Sequence, residues 1–356
     1  MGSNTNESTH LSPTLWVVRA GRKAAYLAHF LSEGLVAIGW GRVGPVGPND
    51  SDEDLRRRFE EAYPEDKPGT RASWVAQVKR FVREVEVGDT VVTYDPETRQ
   101  YHVGQVGTDA TISTRTVDIS ERHEYVRKVK WKGTVSRDDL STTTRNSLGS
   151  ISTLFNPSVS ASNEMLQLFY GEKQTSQSVE GTRPQPDETD SSQILQEYID
   201  KSDEFIADQI AKLDWDQLQE LVAGIVRAMG YRTRISKQGP DRGVDVFASP
   251  DGLGLEEPRI FIEVKHREGT VGAPEIRSFL GGRRDGDRCL YVSTGGFSKE
   301  ARYEAERSQI PLTLLAMPEL RELFVDYYES LDSEIRALVP LRKVYWPVQP
   351  DSGDTV

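Results

Sequence analysis

Several stretches of the chain repeat apolar residues every three or four positions, which is the pattern of amphipathic helices. Residues 214–231 carry such a stripe and end at Gly230, a residue suited to a helix C-terminus. Residues 51–65 show the same pattern behind Ser51, a plausible N-cap. In residues 71–89 the repeat is formed by Trp74, Val75, Val78, Phe81 and Val82. The sequence therefore predicts helices over these three segments.

Other stretches are β-prone or alternate with a period of two, which is typical of strands. Residues 89–107 contain two β-prone runs separated by Asp95-Pro96-Glu97-Thr98, so they predict a hairpin. Residues 123–133 alternate a mostly apolar face with a basic one. From residue 232 onward short strands alternate with helices, which indicates a sheet covered by helices. The whole chain is therefore predicted to be mixed α/β.

Composition divides the chain into domains. Its 356 residues are too many for one typical core. Residues 172–192 contain one apolar residue, Val179, and such a segment cannot bury enough surface to offset the entropy of ordering. We expect a first domain over residues 1–171, an acidic flexible linker over 172–192, a second domain over 193–340 and a tail over 341–356.

The charge and the single cysteine exclude some classes of protein. The net charge of −12 argues against a protein that coats nucleic acid by bulk attraction, although residues 172–212 hold half of that excess and local basic surfaces remain possible. The single cysteine, Cys289, excludes an intrachain disulfide and a cysteine-based zinc cluster. No run of 18 apolar residues is present, and the N-terminus does not have the order of a signal peptide. A cytoplasmic protein without a membrane span is expected.

The chemistry of the second domain is concentrated on two predicted neighbouring strands. Glu263 and Lys265 lie two residues apart in the run RIFIEVK, so they share one strand face, and Asp245 lies in the preceding strand. An E-x-K pair is commonly a solvent-exposed ion pair, but the apolar residues around it indicate a buried strand, where unpaired charge is costly. Two adjacent carboxylates suit Mg²⁺ or Mn²⁺. The pattern therefore predicts a metal site that hydrolyses phosphodiesters, with Lys265 orienting or deprotonating the attacking water.

The sequence around these residues resembles that of a known family. The runs LQELVAGIVRAMGYRTRISKQGPDRGVDVFAS and IFIEVKHREGTVGAPEIRSFLGG, within residues 213–328, are similar to the catalytic domain of the Mrr family of restriction endonucleases, in the PD-(D/E)xK superfamily. The resemblance implies that Asp245 and Glu263 bind the metal, that Lys265 is catalytic and that Asp241 is an additional acidic position.

One position departs from the family pattern. Gln219 stands where the family often has a glutamate on the preceding helix. Its neutral amide could still bond a metal-bound water or a phosphate. The adjacent Glu220 points about 100° away around the helix and is not expected to replace it.

Basic side chains follow the catalytic strand. The candidates for contacts with DNA phosphates are His266, Arg267, Arg277, Arg283 and Arg284. The alternative interpretation of His266 and Arg267 is that they are ordinary surface charges.

The first domain resembles the PUA-like, EVE-type fold, a β-barrel with helices, in the runs AIGWGRVG and RFVREVEVGDTVVTYDPETRQYHVGQV. The resemblance implies an aromatic pocket that accepts a flipped, modified base. The candidate walls are Trp40, Trp74 and Tyr94, and the candidate polar partners are Ser73 and Asp95. The alternative is that the two tryptophans are core residues.

Together these features predict a modification-dependent, type IV-like restriction endonuclease that hydrolyses double-stranded DNA with Mg²⁺ or Mn²⁺. Cutting both strands requires two active sites, so a homodimer is expected. Two alternatives stay open. One is a DNA-sensing protein whose nuclease fold is degenerate, and the other is a repair nuclease that recognises DNA shape.

Overall fold

The computed structural model describes residues 14–107, 111–112, 125–150, 152–171, 191–236, 244–266 and 269–346. The chain divides into two compact units, residues 1–197 and 198–356. Two candidate site residues, Asp241 and Arg267, lie outside the described ranges, as do residues 172–190 of the predicted linker. No helix in these ranges has both the length and the apolar character that crossing a bilayer requires.

The N-terminal unit is built on a strongly curved, barrel-like sheet in the order β2-β6-β4-β3-β1-β7, with β5 paired to β6. Strand β1 runs parallel to β3, and the other pairs are antiparallel. The strands are β1 (Leu15–Val18), β2 (Leu35–Ile38), β3 (Thr90–Asp95), β4 (Gln100–Val106), β5 (Thr111–Ile112), β6 (Tyr125–Ser136) and β7 (Leu154–Phe155). The predicted hairpin and the predicted strand over residues 123–133 are both present.

Five helices accompany this sheet within the described residues: α1 (Leu27–Glu33), α2 (Asp52–Ala62), α3 (Pro68–Lys79), α4 (Thr142–Leu148) and α5 (Val159–Tyr170). Ser51 caps α2 as predicted, because its hydroxyl accepts from the backbone N–H of Asp54 at 3.1 Å. Helix α3 begins earlier than predicted, at Pro68, whose fixed φ suits the first helical position. It continues into a π-helical turn that ends before Val85. Separate apolar cores lie on the two sides of the sheet.

The C-terminal unit contains a five-stranded sheet in the order β12-β11-β10-β9-β8. The strands are β8 (Arg232–Ile235), β9 (Val246–Ser249), β10 (Arg259–Lys265), β11 (Asp287–Ser293) and β12 (Leu312–Leu315). Strands β10, β11 and β12 are parallel, whereas β9 is antiparallel to both β8 and β10. This mixed sheet agrees with the predicted fold class.

Helices cover both faces of this sheet. They are α6 (Ser191–Ile210), α7 (Trp215–Ala228), α8 (Ala273–Leu280), α9 (Lys299–Glu306), α10 (Met317–Asp326) and α11 (Ser333–Leu338). One core joins α7, α10 and α11 to Val246, Ile262 and Val292. The other joins α8 and α9 to Cys289 and Tyr291. Since strand side chains alternate, Glu263 shares its sheet face with the second core.

Candidate functional site

Strands β9 and β10 bring the two predicted carboxylates together. Val246 pairs with Ile262, and the backbone N–H of Asp245 donates to the carbonyl of Ile262 at 2.9 Å. The Asp245 Oδ2 atom then accepts the backbone N–H of Val264 at 2.7 Å. Asp245 is therefore anchored beside the segment that carries Glu263, as the sequence predicted.

Glu263 is held from two sides. Its Oε1 atom accepts a hydrogen bond from the Tyr291 hydroxyl at 3.2 Å and lies 3.4 Å from Lys265 Nζ. Glu263 is only 8% exposed and Tyr291 is fully buried. Parallel pairing places Tyr291 directly opposite Glu263 on β11. Sequence reasoning missed Tyr291, because this pairing joins residues 28 positions apart.

Burial makes both carboxylates harder to ionise. Desolvation raises the pKa of Asp245 above its usual range, although the Val264 N–H and the charge of Lys265 act in the opposite direction. Desolvation also raises the pKa of Glu263; Lys265 lowers it, and the negative charge of Asp245 raises it further. Perturbed acids in close contact are a property of functional sites, and a bound cation would relieve their mutual repulsion.

Helix α7 places Gln219 beside Asp245. The indole N–H of Trp215, one turn earlier, donates to the Val264 carbonyl at 3.4 Å and ties the helix to β10. The Gln219 side chain is 2% exposed, and its interaction with Asp245 lowers the pKa of that carboxyl. Its Nε2 atom nevertheless has no partner of regular hydrogen-bond geometry among the described residues. Glu220 instead faces solvent near Arg227, as predicted.

The residues present fit a divalent metal that is bound mostly by water and substrate. Among the described residues no three His, Cys, Asp or Glu side chains cluster closely enough to hold a metal ion. Asp245 and Glu263 provide two carboxylates, and Glu263 Oε2 carries no hydrogen bond in the described part of the chain. Mg²⁺ commonly uses one or two carboxylates and completes its shell with water and phosphate oxygens.

The predicted phosphate contacts occupy different environments. His266 lies at the end of β10, where Nδ1 is 3.1 Å from the Thr294 hydroxyl. Arg277 is exposed on α8, and its guanidinium lies 3.2 Å from Glu304. Arg284 is exposed in the loop before β11.

Arg283 differs from the other candidates. Its guanidinium packs over the rings of Phe261 and Phe279, at 4.6 and 4.8 Å from their centroids. Its Nε and Nη2 atoms are buried. The structure thus places Arg283 partly buried in aromatic packing, unlike the exposed candidates Arg277 and Arg284.

In the N-terminal unit, Trp40 and Trp74 come together as predicted. Their ring centroids are 5.9 Å apart, and Tyr63 lies edge-on to Trp74 at 5.3 Å. All three residues are half-buried and pack against the core on this side of the sheet, and Ser73, which precedes Trp74 on α3, is exposed. Trp40 adopts a left-handed backbone conformation, with φ of 75°, that is uncommon for a bulky residue. Tyr63, which the sequence reasoning missed, is the third member of this aromatic cluster.

Tyr94 and Asp95 do not join this cluster, so this part of the predicted pocket is wrong. Tyr94 packs on Tyr101, with centroids 4.8 Å apart, in the core on the other side of the sheet. The strand alternation causes this separation, because Val91 faces the core of the tryptophans whereas Val92 and Tyr94 face away from it. Asp95 instead closes the β3–β4 turn by accepting from the Glu97 N–H and the Thr98 hydroxyl.

Comparisons with known proteins match different families to the N-terminal and the C-terminal parts of the chain. Residues 210–324 match the Mrr_cat family, described as a restriction endonuclease. Residues 16–156 match a family described as a domain of unknown function. The type IV methyl-directed restriction enzyme EcoKMrr of Escherichia coli (strain K12) is 27% identical over 117 residues, which cover 31% of this chain and 38% of that relative. The match thus spans little more than a third of the relative's length.

Two solved restriction enzymes align at low similarity. The DNA modification-dependent restriction endonuclease AspBHI is 12% identical with a TM-score of 0.30, over 85% of this chain and 78% of that chain. The MspJI restriction endonuclease in complex with a 27-mer oligonucleotide is 14% identical with a TM-score of 0.26, over 92% and 80%. The family match over residues 210–324 confirms the resemblance found in the sequence.

Proposed function

Residues 210–324 form an Mrr-type restriction endonuclease domain, and from this we propose that the chain is a modification-dependent DNA endonuclease that uses a divalent metal. The observation that carries the proposal is the grouping of Asp245, Glu263 and Lys265 on one sheet face. Two desolvated carboxylates can hold a metal ion that activates water, and a neighbouring ammonium group can stabilise charge on a phosphodiester.

Each residue has a distinct task. Asp245 and Glu263 would hold Mg²⁺ or Mn²⁺, and Tyr291 fixes the carboxylate of Glu263 by its hydrogen bond. The ion, when bound, lowers the pKa of water and stabilises negative charge on the phosphate. Lys265, whose side chain is 36% exposed, orients the attacking water and donates to a phosphate oxygen. Gln219, which interacts with Asp245 and has a buried Nε2 atom, would donate to the oxygen of a metal-bound water or of the phosphate.

The aromatic cluster of Trp40, Tyr63 and Trp74 is the proposed reader of modified DNA. A flipped base needs stacking surfaces, and these partly exposed rings provide them. Ser73 precedes Trp74 on α3 and would have to turn its exposed hydroxyl toward the polar edge of the base. Both strands of a duplex are cut when two chains act together, so a homodimer belongs to the same proposal.

Plasmid cleavage tests this function. Purified full-length protein is incubated with matched plasmids that carry methylated, hydroxymethylated, phosphorothioated or unmodified DNA, with Mg²⁺ or with EDTA. The proposal predicts cutting of at least one modified plasmid in Mg²⁺ and none in EDTA. Lys265→Ala is expected to abolish cutting, whereas Lys299→Ala, a charge change on exposed α9, leaves it intact. No cutting of any plasmid in Mg²⁺ or Mn²⁺ would refute the nuclease.

Gln219 supports a second candidate, a DNA sensor with a weakened nuclease fold. A neutral amide stands where the family often has a carboxylate, and its Nε2 atom is buried without a partner in the described residues. The sensor predicts binding to modified DNA at equal affinity in wild-type protein and Lys265→Ala, with no cleavage in any metal. Metal-dependent cleavage by the wild-type protein decides against it.

A further inference from the structure

The edge strand β8 presents two arginines on one face. Arg232 and Arg234 are exposed, whereas Thr233 and Ile235 are partly buried, and Ile235 packs against the core beneath α7. This alternation is the period of two expected of a strand. The two guanidinium groups therefore lie on the same side of the sheet.

The strand register identifies that side. Arg234 pairs with Phe247 on β9, and Phe247 pairs with Phe261 on β10. Phe247 lies two residues after Asp245, and Phe261 lies two residues before Glu263, so all four residues share a face. With strands about 4.8 Å apart and a rise of about 3.3 Å per residue, the Cα atoms of Arg234 and Asp245 are roughly 8 Å apart. An arginine side chain is long enough to span this distance, so the Arg234 guanidinium can contact a phosphate bound beside the carboxylate pair.

The arginines of this unit differ in their partners. Arg227, Arg259, Arg277 and Arg321 each lie within 3.3 Å of a carboxylate oxygen. Arg232 and Arg234 have no such partner among the described residues. Asp251, in the hairpin beyond Ser249, is engaged instead by the Ser249 hydroxyl and by backbone N–H groups of residues 253–255.

Phe247 holds one of the two guanidinium groups in place. The Cζ atom of Arg234 lies 5.1 Å from the centroid of the Phe247 ring, and that ring packs at 5.3 Å against Phe261. Stacking on an aromatic face limits the rotamers of an arginine but leaves its edge donors free. A guanidinium fixed in this way loses less entropy when it binds an anion.

We propose that Arg232 and Arg234 bind successive phosphates of the DNA strand that enters the carboxylate site, next to the phosphate that is cut. The proposal rests on the proposed function and extends it by naming the surface that positions the backbone. Exposed charges on an edge strand also discourage sheet-to-sheet association. That role requires no particular face, and it predicts no effect on DNA binding.

Salt dependence of DNA binding tests the proposal. Full-length wild-type protein, Arg232→Gln/Arg234→Gln and the control Arg288→Gln are titrated with the same duplex in Ca²⁺ across about 50–200 mM salt. Affinity falls as salt rises, and each phosphate contact adds about one to the magnitude of the slope of log affinity against log salt. The double variant should therefore bind at least about 10-fold more weakly at low salt, with a slope smaller by about two. Arg288 is exposed on β11 but faces the opposite side of the sheet, so its removal should change neither quantity.

Further variants and outcomes make the result decisive. Arg234→Lys keeps the charge but not the planar stacked group, and it should retain the slope while losing part of the affinity. An unchanged slope in the double variant, with normal thermal unfolding, would overturn the proposal. If wild-type protein binds DNA but never cuts it, the proposed nuclease activity is refuted, and the salt slope of the double variant still tests whether the two arginines contact phosphates. If wild-type protein binds no DNA, both proposals are refuted.

Discussion

The hydroxyl of Tyr291 donates a hydrogen bond of 3.2 Å to Glu263 Oε1 across the parallel strands β10 and β11. Both side chains are buried, so the bond is shielded from water. Both contacts are made by Oε1, so the proposed metal would bind through Oε2 of Glu263. Tyr291 is therefore a positioning residue that acts through Glu263.

Removing that hydroxyl should loosen the metal site. In Tyr291→Phe the ring keeps its packing on Phe279 and Phe297, but Glu263 loses a donor. A hydrogen bond to a charged group contributes about 1.5–3 kcal/mol, so Mn²⁺ affinity measured by calorimetry should fall about 10-fold or more. The control Tyr303→Phe changes an exposed residue of α9 and should bind Mn²⁺ normally. Equal Mn²⁺ affinity in all three proteins would contradict the role given to Tyr291.

Restoring a carboxylate on α7 should strengthen metal binding. Gln219→Glu adds a third acid beside Asp245, so Mn²⁺ affinity and cleavage rate should rise, by about 10-fold for one added charged ligand. Without metal the same variant should unfold at lower temperature, because three carboxylates then repel one another. Glu220→Gln, a charge change one residue away at the surface, should alter neither property. Reduced Mn²⁺ affinity in Gln219→Glu would show that a neutral amide at position 219 supports metal binding better than a carboxylate does.

The raised pKa values predict a pH-dependent instability of the metal-free protein. The folded state favours the protonated forms of Asp245 and Glu263, so it binds more protons than the unfolded state as pH rises through their usual values of 3.8 and 4.5. Stability from these groups is thus greatest below those values and decreases as pH rises through the raised folded values. At pH 7, well above the usual values, this cost is larger than at pH 3.5.

Amide substitutions should remove that cost. Asp245→Asn and Glu263→Gln should each raise the unfolding temperature in EDTA at pH 7, by about 2–4 °C for each kcal/mol of relieved repulsion and desolvation. The gain over wild type should shrink toward pH 3.5, where the wild-type carboxyls are protonated in both states. Lower melting temperatures for both variants at pH 7 would mean that the acids stabilise the fold.

The aromatic cluster should determine discrimination between modified and unmodified DNA. Trp40→Ala removes a stacking surface worth about 1–3 kcal/mol, so preference for the modified duplex should fall about 5- to 100-fold in binding assays. Tyr94→Phe is the matched control, because Tyr94 packs in the other core. Trp40→Phe should retain part of the preference. A preference that survives Trp40→Ala in a folded protein would place the reader elsewhere.

The grouping of Asp245, Glu263 and Lys265 could be predicted because local rules govern it. A period of two puts Glu263 and Lys265 on one face, and an antiparallel neighbour brings Asp245 alongside. Tyr291 and Tyr63 could not be predicted in this way, because each meets its partner only through tertiary packing. Tyr94 cannot be assigned to the tryptophan cluster by residue type, because strand alternation turns it toward the other core.

Helix propensity alone does not account for helix α4, which is stabilised by side-chain hydrogen bonds. Helix α4 has the sequence TTTRNSL, which is poor in strong helix formers. It forms because Ser141 caps its first turn and because Glu164, from α5, accepts from the hydroxyls of Ser141 and Thr144. Such contacts are invisible in a single segment of sequence. By contrast, α7 combines a strong apolar stripe with a capping box at Asp214, and it forms as predicted.

A crystal of the protein soaked in Mn²⁺ and measured for anomalous scattering tests the central claim most directly. The account predicts one strong peak bound by both Asp245 and Glu263 at about 2.1 Å, with Lys265 Nζ close to the ion's water shell. The peak should disappear in Asp245→Asn. A well-diffracting soaked crystal without density between these two carboxylates, or with the ion bound elsewhere, would contradict the account.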